Sequence, residues 1–220
     1  RDLRMSRGLG DVYKRQADCL TRWRARTEYK KEEFCRTRTF AKGEKASADV
    51  LFDAKRELFM AYEEKFMLDA LKEADKAPAE HEVPVGAVVV CEGKIIARAH
   101  NRRENKQSAT AHAELLAIEK ACRKLKSWRL VGCELYVTLE PCPMCAGAII
   151  NSRIDAVYFG ASDPKAGCCG SLYNLTGDVR FNHRPIVEGG FLKERCAKLL
   201  TDYFKDKRKN RQENENKIPT

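Results

Sequence analysis

Cys142-Pro143-Met144-Cys145 places two thiols three residues apart in what reads as the first turn of a helix, where both can face one point in space. The free amides of a first turn stabilise negative charge, lower thiol pKa and favour the thiolate that zinc requires. By itself, a Cys-x-x-Cys pair fits a thiol-disulfide redox couple or half of a structural zinc site as well as a catalytic centre. Further upstream, Thr110-Ala111-His112-Ala113-Glu114 opens another helix after the polar loop Asn101 to Ser108, so His112 can be a third ligand. Two sulfurs and one imidazole suit zinc and leave one tetrahedral position open to water. The cation lowers the pKa of that water towards neutrality, which is hydrolytic chemistry. Glu114 lies two residues after His112, a separation that does not align side chains on one helix face, so it is expected beside the metal, as a proton shuttle. Either His112 or Glu114 alone is explained by a helix that begins with ordinary polar residues; the combination with Pro141-Cys142-x-x-Cys145 points to chemistry.

Hydrophobic periodicity places these residues on an alternating framework. Phe66, Met67, Ala70, Leu71 and Ala74 recur at helical spacing and predict an amphipathic first helix up to about Ala77. Val83–Val90 reads as a buried strand, Glu92-Gly93 as a hairpin turn and Lys94–Ala99 as the second strand. Leu115, Leu116, Ile118, Cys122 and Leu125 mark a second helix. Glu134–Leu139 is then a strand, Cys142–Asn151 a third helix, Ala156–Gly160 a short strand and Arg184–Val187 a fifth. Leu192, Cys196, Leu199, Leu200 and Tyr203 stripe a terminal helix that continues into the basic stretch Lys205–Arg211 before a polar tail. The expected class is α/β, with helices on both faces of one sheet of about five strands.

Composition narrows the setting. The 220 residues are 43% hydrophobic, enough for one domain with a real core. A net charge of +10 favours a polyanionic partner. The longest apolar stretch, Val83 to Val90, is interrupted by Pro84 and Gly86 and falls far short of the roughly 20 residues that span a bilayer. No membrane segment or export signal is read, and a cytoplasmic address is expected. Ten scattered cysteines with one tight pair suit a reducing compartment and a metal better than a disulfide framework. Residues 1–59 carry 16 Lys and Arg against 10 Asp and Glu, yet show no amphipathic stripe and no chemical motif. Within them, Asp11-Val12-Tyr13-Lys14-Arg15-Gln16 can be back-translated as GATGTGTATAAGAGACAG, which resembles the transposon end used to prepare sequencing libraries. Residues 1–59 are therefore read as a disordered, foreign extension, with 1–16 an assembly artefact and Met60 the natural start; the alternative is a true basic arm that helps bind a polyanion. The domain is expected over 60–204, with 205–220 its basic helix end and tail.

His-x-Glu followed by Pro-Cys-x-x-Cys is the pattern of zinc nucleobase deaminases. With Glu82-Val83-Pro84-Val85-Gly86-Ala87-Val88, His100-Asn101-Arg102, Leu135–Cys142, Ala146-Gly147-Ala148, Ser152-Arg153-Ile154 and Phe159-Gly160-Ala161-x-Asp163, residues 60 to about 211 resemble the bacterial tRNA-specific adenosine deaminases, the TadA family. The resemblance implies a cytidine deaminase-like three-layer α/β/α fold, a homodimer, one zinc ion per subunit and deamination of the wobble adenosine of a tRNA anticodon to inosine. His112, Cys142 and Cys145 would hold zinc, hydroxide on it would attack C6, and Glu114 would move the protons. By similarity, Asn101 would read the flipped-out base, Val85 and the Ala113 amide would close the pocket, and Asp163 would lie near the ribose backbone; a turn cap accounts for Asn101 or Asp163 equally well. Phe204, Lys207 and Arg208 could stack and neutralise the anticodon stem-loop, or simply form a solvated helix end. Cys168-Cys169 departs from the family pattern, and both are expected as spectators packed under a loop.

Two rivals share these residues. Glu140–Cys145 also resembles guanine deaminases, which would use the same metal on a free base or nucleotide. A zinc-stabilised RNA-binding module without catalysis would need a fourth protein ligand. Cys91, Cys122, Cys133 and Cys196 fall in strand or helix patterns that suggest core packing instead, and Glu114 would have no chemical purpose.

Overall fold

The computed structural model describes residues 62–215. The expectations of a foreign N-terminal extension and of a start at Met60 lie outside those residues. The chain runs α1 (Glu64–Ala74), a 3-10 turn (Ala77–Glu80), β1 (Gly86–Cys91), β2 (Lys94–His100), a one-turn α2 (Arg103–Lys106), α3 (Ala113–Leu125), β3 (Cys133–Leu139), α4 (Pro143–Ser152), β4 (Ala156–Ala161), β5 (Ile186–Gly189) and α5 (Lys193–Glu215). The sheet order is β2-β1-β3-β4-β5. β1 is antiparallel to both neighbours, whereas β3, β4 and β5 are mutually parallel, so the five-stranded sheet is mixed.

Strand alternation divides the core into two layers. Ala87, Val89, Leu135, Val137, Val157 and Phe159 face α3 and α4. Val88, Val90, Tyr136, Ala156 and Tyr158 face the other way, against α1 and the start of α5. Burial on both faces explains why β1, β3 and β4 read as nearly continuous apolar runs, while edge strand β2 carries polar residues among its buried ones. Glu92 and Gly93 both have positive φ, 51° and 70°, which gives the tight β1–β2 turn a twist that matches its strands.

Several boundaries differ from the periodic reading. The first strand begins at Gly86, not Val83, because the Val85 amide donates back to the Val83 carbonyl at 2.8 Å and the chain turns there instead of extending. The first helix stops at Ala74, and Pro78 sits in the separate 3-10 turn that follows. The polar loop after β2 contains α2, whose Asn105 amide donates to the buried Glu82 carboxylate at 2.8 Å. Cys142 precedes α4 as its N-cap, and β5 spans Ile186–Gly189, two residues later than Arg184–Val187. Among the described residues, no helix is long and apolar enough to cross a membrane.

The register fixes where chemistry can occur. Gly86 pairs with His100, Ala87 with Val137 and Leu139 with Ala161. The start of β1 and the ends of β2, β3 and β4 therefore share one edge of the sheet, and the segments leaving that edge lead into α2, α3, α4 and the 162–185 connection. Gly86 also sets the spacing beneath that edge, since a Cβ there would run into the Ala70 carbonyl and the Ala74 amide of α1. Both obstacles are backbone, which cannot swing aside. Gly86→Val should therefore destabilise the domain by about 3 kcal/mol or more. A clear fall in the urea midpoint is expected; an unchanged midpoint would show that α1 does not rest on β1 at this distance.

Candidate active site

Two helix N-termini converge on the shared edge. His112 is the N-cap of α3 and Cys142 the N-cap of α4, both with extended backbone. His112 follows the hairpin and its polar loop, held by the Arg102 amide donating to the Ala111 carbonyl at 3.0 Å. Cys142 follows β3 after Glu140-Pro141, and one turn of α4 brings Cys145 to the same side. His112 Nδ1 lies 3.7 Å from Cys142 Sγ and 3.6 Å from Cys145 Sγ. These three are the group of donors, among the described residues, whose ligand atoms all lie within 4.8 Å of one another. Tetrahedral zinc with bonds of about 2.3 Å to sulfur and about 2.0 Å to nitrogen separates such donors by about 3.6 Å. The residues present therefore fit zinc, with one coordination position left.

The electrostatics are those of a cation site. Cys142 is depressed to about 4, first by its hydrogen bond with Cys145 and then by His112. Cys145 is pushed well up by the same contact and by burial, and His112 is raised by its hydrogen bond to Cys142. The thiols thus compete for one proton, and a dication among them relieves that competition.

Glu114 stands beside the three donors in the first turn of α3, 4% exposed. Burial raises its carboxyl to about 6, against the opposing pull of its own backbone amide and of His112. A carboxyl poised near neutrality both accepts and releases a proton.

The other residues expected from the sequence fall into two groups. Asn101 and Val85 are buried at the β1–β2 end of the edge, tied by the Asn101 amide donating to the Val85 carbonyl at 3.0 Å. Ala113 is fully buried as the first residue of α3, where its amide has no partner within the helix. Asp163 follows β4, and its Oδ1 accepts from the Lys165 and Ala166 amides at 2.9 and 3.2 Å, so it does cap a turn. Phe204 and Arg208 are more distant, on α5, where they line an open groove of about 440 Å³ with Leu200, Thr201 and Lys165. Lys207 is not part of that groove; its ammonium lies 5.7 Å from the Tyr203 ring. Lys165 escaped the sequence reading, because a cation after Asp163-Pro164 carries no signal until α5 is folded opposite it. Cys168 and Cys169 are buried, as are Cys133 and Cys196, while Cys91 and Cys122 are partly exposed.

Residues 60–161 match the family described as the cytidine and deoxycytidylate deaminase zinc-binding region. The chain is 54% identical over 152 residues to the tRNA-specific adenosine deaminase of Bacillus subtilis strain 168, covering 69% of this chain and 94% of that one. A solved structure from a study of A-to-I editing by tRNA:A34 deaminases at the wobble position of transfer RNA is 44% identical, with a TM-score of 0.61, and is matched over its whole length by 63% of this chain. The guanine deaminase of Nitrosomonas europaea shares the architecture at 28% identity and a TM-score of 0.57, over 65% of this chain and 85% of its own. The greater identity, over nearly the whole of the Bacillus protein, decides between these two likenesses. The chain belongs to the tRNA-specific adenosine deaminase family.

Proposed function

We propose that this protein hydrolyses the wobble adenosine of a tRNA anticodon to inosine, releasing ammonia. The observation that carries the reading is the convergence of His112, Cys142 and Cys145 with the buried carboxyl of Glu114 beside them. These three side chains would hold one zinc ion per subunit. Bound there, zinc supplies Lewis acidity at its open position and brings the pKa of a water towards neutrality.

The chain's own residues then do the rest. Glu114 takes the water proton, passes it to ring nitrogen N1 as C6 becomes tetrahedral, then takes the remaining proton from the C6 hydroxyl and delivers it to the amino group, which leaves as ammonia while the C6 carbonyl forms, so one carboxyl serves both halves of the reaction. Its burial suits this work, since desolvation favours the protonated carboxyl and so offsets the pull of a neighbouring cation towards the carboxylate. Asn101, buried and fixed through Val85, offers both a donor and an acceptor to a flipped-out base. Val85 supplies an apolar wall, and the Ala113 amide offers a donor at the start of α3. Asp163, with Oδ1 engaged in its turn, retains Oδ2 for a ribose hydroxyl.

An anticodon loop must also be held away from the reacting base. The groove with Lys165, Phe204 and Arg208 combines two cations with an exposed ring, the combination that grips single-stranded phosphates and stacks a base. Lys207 contributes its charge to the same basic helix. RNA binding, a homodimer and a cytoplasmic address belong to the same reading, supported by kinship to the tRNA enzymes.

The zinc-loaded chain should convert an anticodon stem-loop with a wobble adenosine to inosine and leave free guanine unchanged; xanthine without inosine would instead favour the guanine-deaminase reading. Glu114→Gln should keep its zinc while kcat falls about 10²- to 10⁴-fold. Activity surviving that change would remove the carboxyl from the mechanism. Phe204→Ala should raise KM for the stem-loop about tenfold with kcat nearly unchanged, as expected for one lost stacking contact. An unaltered KM would place the RNA elsewhere.

A further inference from the structure

Besides Glu114, two glutamates at the active-site end of the sheet are almost wholly buried, Glu82 at 1% and Glu140 at 2% exposure. Glu82 accepts the single Asn105 amide described above. Glu140 has a fuller set of partners. It sits between the end of β3 and Pro141-Cys142, yet it is not one of the three metal donors. Its Oε1 accepts the amides of Cys169 and Ser171 at 3.1 and 2.9 Å. Its Oε2 accepts the Asp163 amide at 3.0 Å and the Ser171 hydroxyl. A carboxylate offers about four lone-pair positions, and all are taken by donors from one stretch of chain, 163–171.

That stretch is moulded around the carboxylate. A Cβ at Gly167 would run into the Glu140 carboxyl group and the Asp163 carbonyl. The Cys168 amide also donates to the Pro141 carbonyl at 2.9 Å, so the segment is docked on two consecutive residues of the turn that delivers Cys142. The same segment carries Asp163 and supplies Lys165 to the groove with Phe204 and Arg208. Glu140 therefore links the strand-to-helix turn of the metal site to the wall on which RNA would rest.

We propose that Glu140 is a positioning residue for the deamination, which holds segment 163–171 in place by four hydrogen bonds and so sets how tightly the RNA is held, without itself touching the base. The inference rests on the tRNA reading. With every acceptor position occupied by the segment's own donors, Glu140 has no free lone pair for the reacting atoms, and its influence passes through Asp163 and Lys165.

The test compares the full zinc-loaded chain with Glu140→Gln and Ser171→Ala on an anticodon stem-loop bearing a wobble adenosine, with zinc content measured for each. Gln has the same shape but turns an NH2 group towards two of the partners, so at least one backbone amide loses its acceptor and the charge that strengthens all four bonds is gone. Its KM should rise about tenfold or more while kcat per bound zinc stays within about threefold. Ser171→Ala removes one hydroxyl donor only and should raise KM about two- to threefold, which keeps the test open should the Gln variant fold poorly. An unchanged KM in both variants overturns the inference. So does a loss confined to kcat that tracks lost zinc, since Glu140 would then merely support Cys142. A native chain that makes no inosine from the stem-loop fails the tRNA reading itself, and the inference falls with it; native activity with indifferent variants fails the inference alone.

Discussion

The site depends on bringing one imidazole nitrogen and two sulfurs within hydrogen-bonding distance of one another without a disulfide. Separations of 3.6 to 3.7 Å from His112 to each cysteine leave the three donors around a space of zinc dimensions. Such a cluster is unfavourable in itself, since the thiols contend for a proton in a partly buried place. Two features of the backbone offset this cost. His112 and Cys142 are both N-caps, so the free amides of α3 and α4 face the donors, and the sheet fixes both helices from behind.

The rest of the fold can be understood as support for that meeting of helix ends. Antiparallel pairing of β1 with β2 and with β3, followed by parallel pairing of β3 with β4, gathers four strand ends at one edge. The apolar layers lie behind that edge, α3 and α4 on one face, α1 and α5 on the other. Buried polar groups are concentrated in front of it. Glu114 faces the donors, Asn101 is tied to Val85 at the same edge, and Glu82 and Glu140 each bind a flanking segment. Cys91 and Cys133 pair across β1 and β3 at the opposite end, where they contribute to packing rather than to the metal centre.

Each half of the metal cluster was legible in the sequence because its spacing is local, and the family pattern, not periodicity, joined the halves across 30 residues. Cys142 and Cys145 are one helical turn apart, and His112 and Glu114 share the first turn of one helix, so each pair implies its own geometry. Sheet strands were legible for a related reason, since burial on both faces leaves unbroken runs such as Ala87–Val90. Local patterns misled where hydrogen bonds outside the periodic pattern redirect the chain: Val83–Val85 has strand composition but turns on its own 85-to-83 bond, and the α2 residues, anchored to Glu82, look like loop. Glu140 and Lys165 were illegible as functional residues for the same reason in stronger form. The partners of Glu140 lie 23 to 31 residues along the chain, and Lys165 acquires its neighbours only when α5 packs opposite. Periodicity carries no trace of such contacts.

Whether the zinc centre is open, with three protein ligands, can be read from the zinc-edge X-ray absorption spectrum of the purified chain. An open centre gives two sulfur scatterers at about 2.3 Å and two nitrogen or oxygen scatterers at about 2.0 to 2.1 Å, the second light atom being exchangeable solvent. Three or four sulfurs would contradict it. Cys168, buried and close enough to Cys142 to feel its charge, would then be the first residue to suspect, and the site would be closed and structural.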